Sequence, residues 1–200
     1  MPSLDKFRHA ETDANRVRKL NLMRDAVTSS SLAGVASSSV SVSEVPGTVR
    51  TVLTLNKVSI ATVDATTAGA HGSLKLYDFP ECNLLFLGAT CDLTLLAGAG
   101  GITDTAAVVA SIGTAQLATD NATLTGTEAD LIASTAGTLT AGAGTVKGKT
   151  VTAGVAVFDG TSTAKDAWLN LAVPDAGSTA NDTLTVSGTV TLVWANLGDV

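Results

Sequence analysis

The sharpest chemical pattern in the sequence is Ala143-Gly144-Thr145-Val146-Lys147-Gly148-Lys149-Thr150. It meets a relaxed phosphate-loop rule, with Ala in place of the first Gly. A phosphate loop joins a strand to a helix whose N-terminal amides face the phosphates. Here Val151 to Phe158 alternates Val with small residues and reads as a strand, and no apolar strand ending in an acid follows to hold magnesium. The segment therefore reads as a glycine-rich hairpin with Lys147 and Lys149 exposed. Gly98-Ala99-Gly100-Gly101-Ile102-Thr103 has the outline of a dinucleotide-binding turn, but the third glycine is missing and no acid stands at the ribose position. It reads as a loop.

Catalytic groups are scarce. His9 and His71 are isolated in sequence, and no Gly-x-Ser-x-Gly elbow presents any of the serines. Glycoside hydrolysis needs two carboxylates facing a sugar cleft. The acids here fall mostly in turns (Asp78, Asp159, Asp175, Asp182), where Asp commonly closes its own backbone. A sugar cleft also uses aromatic platforms, and aromatic residues are 4% of the chain. Cys82 and Cys91 are too few for a zinc site and have no neighbouring His. They read as two reduced, packed thiols, with a disulfide between them as the minority reading. No calcium loop of alternating acids occurs. Asn121-Ala122-Thr123 and Asn181-Asp182-Thr183 fit the glycosylation pattern but lack a secretory signal to give it meaning. The expectation is a non-enzymatic protein with no cofactor and no metal.

Composition agrees. The chain has 200 residues, 12 Lys+Arg, 18 Asp+Glu and a net charge of −6. Charged residues are 15%, against about 25% in an average soluble domain, while 45% are hydrophobic. That excludes a highly charged disordered chain and a disulfide-dense miniprotein. No run of about 18 apolar residues occurs, so no membrane span is expected. Met1 to Asp25 is charged throughout and lacks the apolar centre of a secretory signal. With low cysteine use, this suggests synthesis in a reducing cytosol.

Charge divides the chain. Residues 1–25 hold six bases (Lys6, Arg8, Arg16, Arg18, Lys19, Arg24) and four acids (Asp5, Glu11, Asp13, Asp25), net +2. The other 175 residues hold 6 bases and 14 acids, net −8. Asp13 to Met23 can form a short helix with Val17, Leu20 and Leu22 near one side, a stripe so thin that it needs a partner. The six bases are candidates for docking on a protein neighbour. Nucleic acid is disfavoured, because acids interrupt the bases and no aromatics interleave for stacking. Thr28 to Ser43 is Ser-rich and uncharged, and reads as a linker or extended arm whose end can pair as an edge strand through Val40, Val42 and Val45. Pro46-Gly47 closes it. The expected domains are thus an arm at 1–45 and a β body at 46–200.

Strands must position whatever the body does. Val49, Thr51, Leu53 and Leu55 alternate with polar neighbours, and Val58 and Ile60 follow. Leu74 to Phe79 makes another strand. Leu84–Leu87 and Cys91–Leu96 read as two short apolar strands separated by Gly88. Thr103 or Asp104 can cap a helix running through Ala106, Val109 and Ile112 to Leu117, and Thr127 to Ile132 reads as a second helical turn capped by Thr127 with Asp130 three residues on. Later, Trp168, Asn170 and Ala172 share one strand face, with Leu169, Leu171 and Val173 on the other. Leu184, Val186, Gly188, Val190, Leu192 and Trp194 line the core side of the last strand, where Gly188 leaves room for a large neighbour such as Trp168 or Phe158. The fold class is all-β: an antiparallel sandwich or jelly roll of eight or nine strands, with one or two short helices and an extended N-terminal arm.

Four segments add a family likeness: Leu85 to Thr94, Thr127 to Ile132, Phe158 to Thr161, and Leu184 to Asp199. Together they resemble a group of tailed-bacteriophage virion proteins, the head decoration or cement proteins. The likeness spans roughly residues 80–199. It implies a β-rich structural subunit on the capsid exterior that binds the major capsid protein, often as a homotrimer. No functional residue comes with it. A tail or fibre component, a carbohydrate-binding β module and a hydrolase remain as alternatives. If the arm docks the protein, deleting residues 1–25 leaves it folded and soluble but weakens its binding to its assembly. Equal binding by the truncated protein removes the arm from docking.

Overall fold

A computed structural model describes residues 39–45, 48–65, 69–98, 100–117, 124–150 and 156–198, with side chains from 48 onward. Ten antiparallel strands build two facing sheets. In sheet A, β1 (Ser39–Val45), β2 (Thr48–Asp64), β10 (Asp182–Asn196) and β4 (Asn83–Ala97) lie side by side, and β7 (Ala143–Lys149) and β8 (Ala156–Asp159) share the far edge of β4. In sheet B, the order is β3 (Ala70–Asp78), β9 (Asp166–Val173), β5 (Ala107–Gly113) and β6 (Ile132–Thr138). Val63 and Asp64 of β2 cross over to pair with β3, and β6 packs edge to edge with β7, so the sandwich is nearly closed. The stretch Ser39–Val45, read as the end of the arm, pairs with β2 as a strand.

The long strand β10 is buried between two long neighbours, and Leu184, Val186, Val190, Leu192 and Trp194 are all fully buried, as the alternation predicts. Its register with β2 steps from Val186↔Val58 to Gly188↔Leu55. The extra residue lies in β2 at Asn56-Lys57, both exposed, with Lys57 in the left-handed region at φ 53°. This bulge is why the inward row of β2 changes phase from Val49, Thr51, Leu53 and Leu55 to Val58, Ile60 and Thr62. Gly188 has a different role from the one its position suggests. At φ +133°, an added Cβ would lie 2.1 Å from the Asp92 carbonyl oxygen, so the neighbour it admits is the β4 backbone and not Trp168 or Phe158.

Three local expectations are corrected. The helix read over 103–117 contains strand β5, with Val108, Ala110 and Ile112 in the core. Its alanines suit either state, but a helix would leave the β9 and β6 edges without backbone partners. The turn at 127–132 reduces to a 3-10 segment at Gly126–Glu128 that ends in β6, and no side chain caps it. Asp130 instead accepts bonds from Thr114 N (2.7 Å) and Thr114 Oγ1 (2.6 Å). The two apolar runs around Gly88 are one strand, β4, because a bulge at Gly88 (φ +155°) absorbs the break.

The core is mostly aliphatic, with one aromatic knot. Tyr77, Phe79 and Trp194 meet at ring-centroid distances of 5.0, 5.4 and 6.3 Å, and Trp194 Nε1 donates to the buried Thr51 Oγ1 at 3.1 Å. Burial pushes the Tyr77 phenol up to about 12. Leu192→Ala in this filled core should cost about 2–5 kcal/mol. Thr191→Ala, one residue away on the outer face, should stay within about 0.5 kcal/mol. Denaturant titration of both variants checks the face assignment, and a larger loss for Thr191→Ala would invert it.

Candidate functional site

Over β9, the outer face of sheet B is covered by the chain itself. Asn170 points outward from β9 yet is fully buried beneath the segment around Ala115–Leu117 and Glu128. Its Oδ1 accepts from Ser73 Oγ (2.7 Å) and Leu117 N (2.9 Å). Its Nδ2 donates to the carbonyls of Ala115 (3.0 Å) and Glu128 (2.9 Å). Ser111 Oγ adds a 2.7 Å bond to the Glu128 carbonyl. Leu117, Leu124 and Ala172 pack beside this polar patch.

The glycine-rich turn at 98–102 also has an internal partner. Asp182 Oδ2 accepts from the amides of Gly100 (3.3 Å), Gly101 (2.9 Å) and Ile102 (2.9 Å), and Oδ1 from Thr183 N (2.8 Å). Successive amides make an anion-binding concavity. Here the anion is a carboxylate of the same chain, so the turn ties β4 and β5 to the start of β10.

At the opposite end of β3 and β9, Lys75 bridges two carboxylates that are cross-strand partners, Asp78 and Asp166; Lys75 Nζ lies 3.0 Å from Asp166 Oδ1. The same ammonium lies 6.0 Å from the centre of the half-exposed Trp168 ring. Burial, and then the hydrogen bond with Asp78, raise the Asp166 carboxyl above its ordinary value and outweigh the pull of Lys75. Two carboxyls in direct contact leave no room for a sugar between them, unlike the pairs about 5 Å or more apart in glycosidases.

The outer face of sheet A is different. Thr90 of β4, Thr189 and Thr191 of β10 and Thr54 of β2 form rows across it. Near one end lies a shallow groove of about 420 Å³, lined by Leu87, Thr90, Lys149, Thr150, Thr191 and Val193 among others. Leu87 is 38% exposed and Val157 on the neighbouring β8 is 61% exposed. Lys147 and Lys149 are exposed, as expected, but on strand β7 and not in a hairpin loop. The tight turn precedes them, at Ala141-Gly142 (φ 50° and 77°). Lys147 pairs with Asp92 at 2.9 Å across the strands. Thr150, the motif's last residue, bonds to backbone at Ala89 N (2.6 Å) and the Leu131 carbonyl (3.1 Å).

The arm bases Lys6, Arg8, Arg16, Arg18, Lys19 and Arg24 lie outside the described residues, as does His9. Cys82 and Cys91 are both buried and are not joined by a disulfide, and Cys91 Sγ accepts from Gly148 N at 3.2 Å. Among the described residues, no three His, Cys, Asp or Glu side chains converge as metal ligands. Asn170 and Asp182 were not readable as binding groups in the sequence, because their partners are as far as 82 residues away.

No known protein-family model matches the chain, and no curated protein matches it in sequence. Among solved structures it is similar to a carbohydrate-binding module, CBM4, at 14% identity and a TM-score of 0.37, covering 75% of this chain and 86% of that one. It is similar to the N-terminal cellulose-binding domain of β-1,4-glucanase C from Cellulomonas fimi at 13% identity and a TM-score of 0.30, covering 80% and 84%. A third is TmCBM27, a carbohydrate-binding module that recognises mannan, at 10% identity and a TM-score of 0.30, covering 80% and 86%. Likenesses this loose carry no residue role across.

The carboxyl pair gives a pH prediction. The folded state holds the Asp166 proton more tightly than the unfolded chain does, so this group adds stability as pH falls through its raised value, and adds no more below the ordinary 3.8. Asp166→Asn should therefore stabilise the protein most at neutral pH, with the gain shrinking toward pH 3.8. Denaturant midpoints across that range check the sign. A gain that grows on acidification contradicts it.

Proposed function

We propose that the protein is a non-enzymatic structural protein of a phage virion, which decorates and stabilises the capsid by binding the major capsid protein. The observation that carries this reading is the asymmetry of the two sheets. Over β9, sheet B is covered by residues 115–117, 124 and 128 of the same chain, while sheet A keeps an open face of threonines and aliphatic side chains around Leu87. Side chains that chemistry would use are engaged elsewhere: Asp182 on the glycine turn, Asp130 on Thr114, Asp78 and Asp166 on Lys75, and Tyr77, Phe79, Phe86 and Trp194 in the core. Such a body works by surface contact. In this reading it is synthesised in the bacterial cytoplasm, which suits its two thiols free of a disulfide. It then assembles on the capsid exterior as a homo-oligomer, with a trimer favoured, and its basic arm reaches a neighbour.

A carbohydrate-binding β module is the second reading, and the half-exposed indole of Trp168 beside Asp166 and Lys75 favours it. Electron microscopy of the parent particle decides the first reading. Density for this chain is expected on the capsid exterior; a tail position makes it a tail or fibre component, and its absence from particles overturns the virion reading. Affinity electrophoresis in soluble cellulose derivatives or mannan tests the second. Retardation lost in Trp168→Ala would favour sugar binding, and unchanged mobility would remove it.

A further inference from the structure

Charge is sorted by face in a way that the net value hides. The described residues include six Lys and Arg: Arg50, Lys57, Lys75, Lys147, Lys149 and Lys165. Four of these, Arg50 and Lys57 on β2 and Lys147 and Lys149 on β7, are exposed on strands of sheet A. The exposed acids among the described side chains of those strands are Asp92, paired with Lys147, and Asp159 at the end of β8. Glu44 belongs to β1 of the same sheet. Asp64, Asp104, Asp175 and Asp182 gather with the loops at one end, and Asp78, Glu81, Glu128, Asp130 and Asp166 lie beyond sheet A. A body of net negative charge thus carries more exposed bases than exposed acids among the described side chains of this face.

One end of that face is apolar. Leu85 and Val157 are cross-strand partners, Val193 lies opposite both Arg50 and Gly88, and Leu87 borders the groove that Lys149 also lines. Arg50 and Lys149 flank this exposed aliphatic patch, and apolar area edged by charge is the layout of a protein interface. Among its described residues the face has no aromatic ring for base stacking, and its cations stand beside aliphatic side chains, which disfavours nucleic acid. We infer that the outer face of sheet A docks an acidic protein surface with an apolar patch. This rests on the reading of the protein as one that binds a larger assembly, and names which face does so and what it meets.

Two probes separate this inference from the capsid reading: capsid shells lacking the protein, and immobilised poly-L-glutamate, with duplex DNA as a comparison polyanion. Wild type should bind poly-L-glutamate saturably, and about tenfold more weakly as salt rises from about 50 to about 200 mM. Arg50→Glu with Lys149→Glu should weaken binding to both poly-L-glutamate and shells by about tenfold or more. Leu87→Ser with Val157→Ser should do so on shells alone. The control, Ser134→Glu with Thr138→Glu on exposed β6, should bind as wild type does. All are exposed positions, and unchanged thermal melting confirms intact folding. Variants that bind both probes like wild type, failure of wild type to bind poly-L-glutamate, or tighter binding to DNA overturns the inference. If wild type ignores shells while the poly-L-glutamate results hold, the capsid reading falls and the face assignment stands.

Discussion

One buried amide organises the covered side of this molecule. Asn170 can make four hydrogen bonds, and all four are made, to Ser73, Leu117, Ala115 and Glu128. An amide without these partners could not stay in the interior, since each buried polar group left unpaired costs about 1–3 kcal/mol. Three of the partners are backbone groups of irregular stretches that have no ladder of their own. Amide and backbone therefore satisfy each other, and together they turn the outer side of β9 into interior. Sheet A has no such cover among the described residues.

The same economy explains why motifs that resemble ligand sites are silent here. A glycine-rich turn presents several amides in one direction, and some anion must meet them. Asp182 does so, and its four accepted bonds join three strands at one end of the sandwich. The lysine-rich motif fails as a phosphate loop for a geometric reason. Alternate backbone amides and carbonyls along it are committed to the β4 ladder, from Leu96↔Ala143 to Thr90↔Lys149, and the others point to the opposite edge. A strand presents its amides alternately to its two edges, whereas a phosphate cradle needs them on one side.

The sequence made the long-range frame legible and the local exceptions less so. Alternation in Leu184–Trp194 identifies a core strand because a one-residue slip would turn five large apolar side chains into water. The phase change between Leu55 and Val58 is written in the residue order, and it is the bulge at Lys57. By contrast, Ala106–Ser111 has small side chains that fit a helix or a strand, so only the exposed edges of β9 and β6 decide. Gly88 looks like a break between strands and proves to be a bulge within one, since its continuation depends on β10. The candidate face was not visible as a site at all. Its cations are spread from Arg50 to Lys149 and come together only when β2 and β7 lie in one sheet.

Residue choice on that face bears on how it could bind. Thr and Val are branched at Cβ and hold few rotamers, so fixing them in an interface costs less entropy than fixing Lys, Gln or Met. Strand backbones beneath them are already ordered by neighbours on both edges, as β10 is between β2 and β4. The face is therefore pre-organised, and little binding energy goes into ordering it. A flat, rigid surface also makes few deep anchors, so each copy should gain a modest affinity. A second contact on the same chain would raise it through effective concentration. The charge split supplies a reason to look for one in the basic residues 1–25, which precede β1 of the same sheet in the chain. A stiff face and a tethered second contact would let a small-residue sandwich hold to a large surface without a pocket.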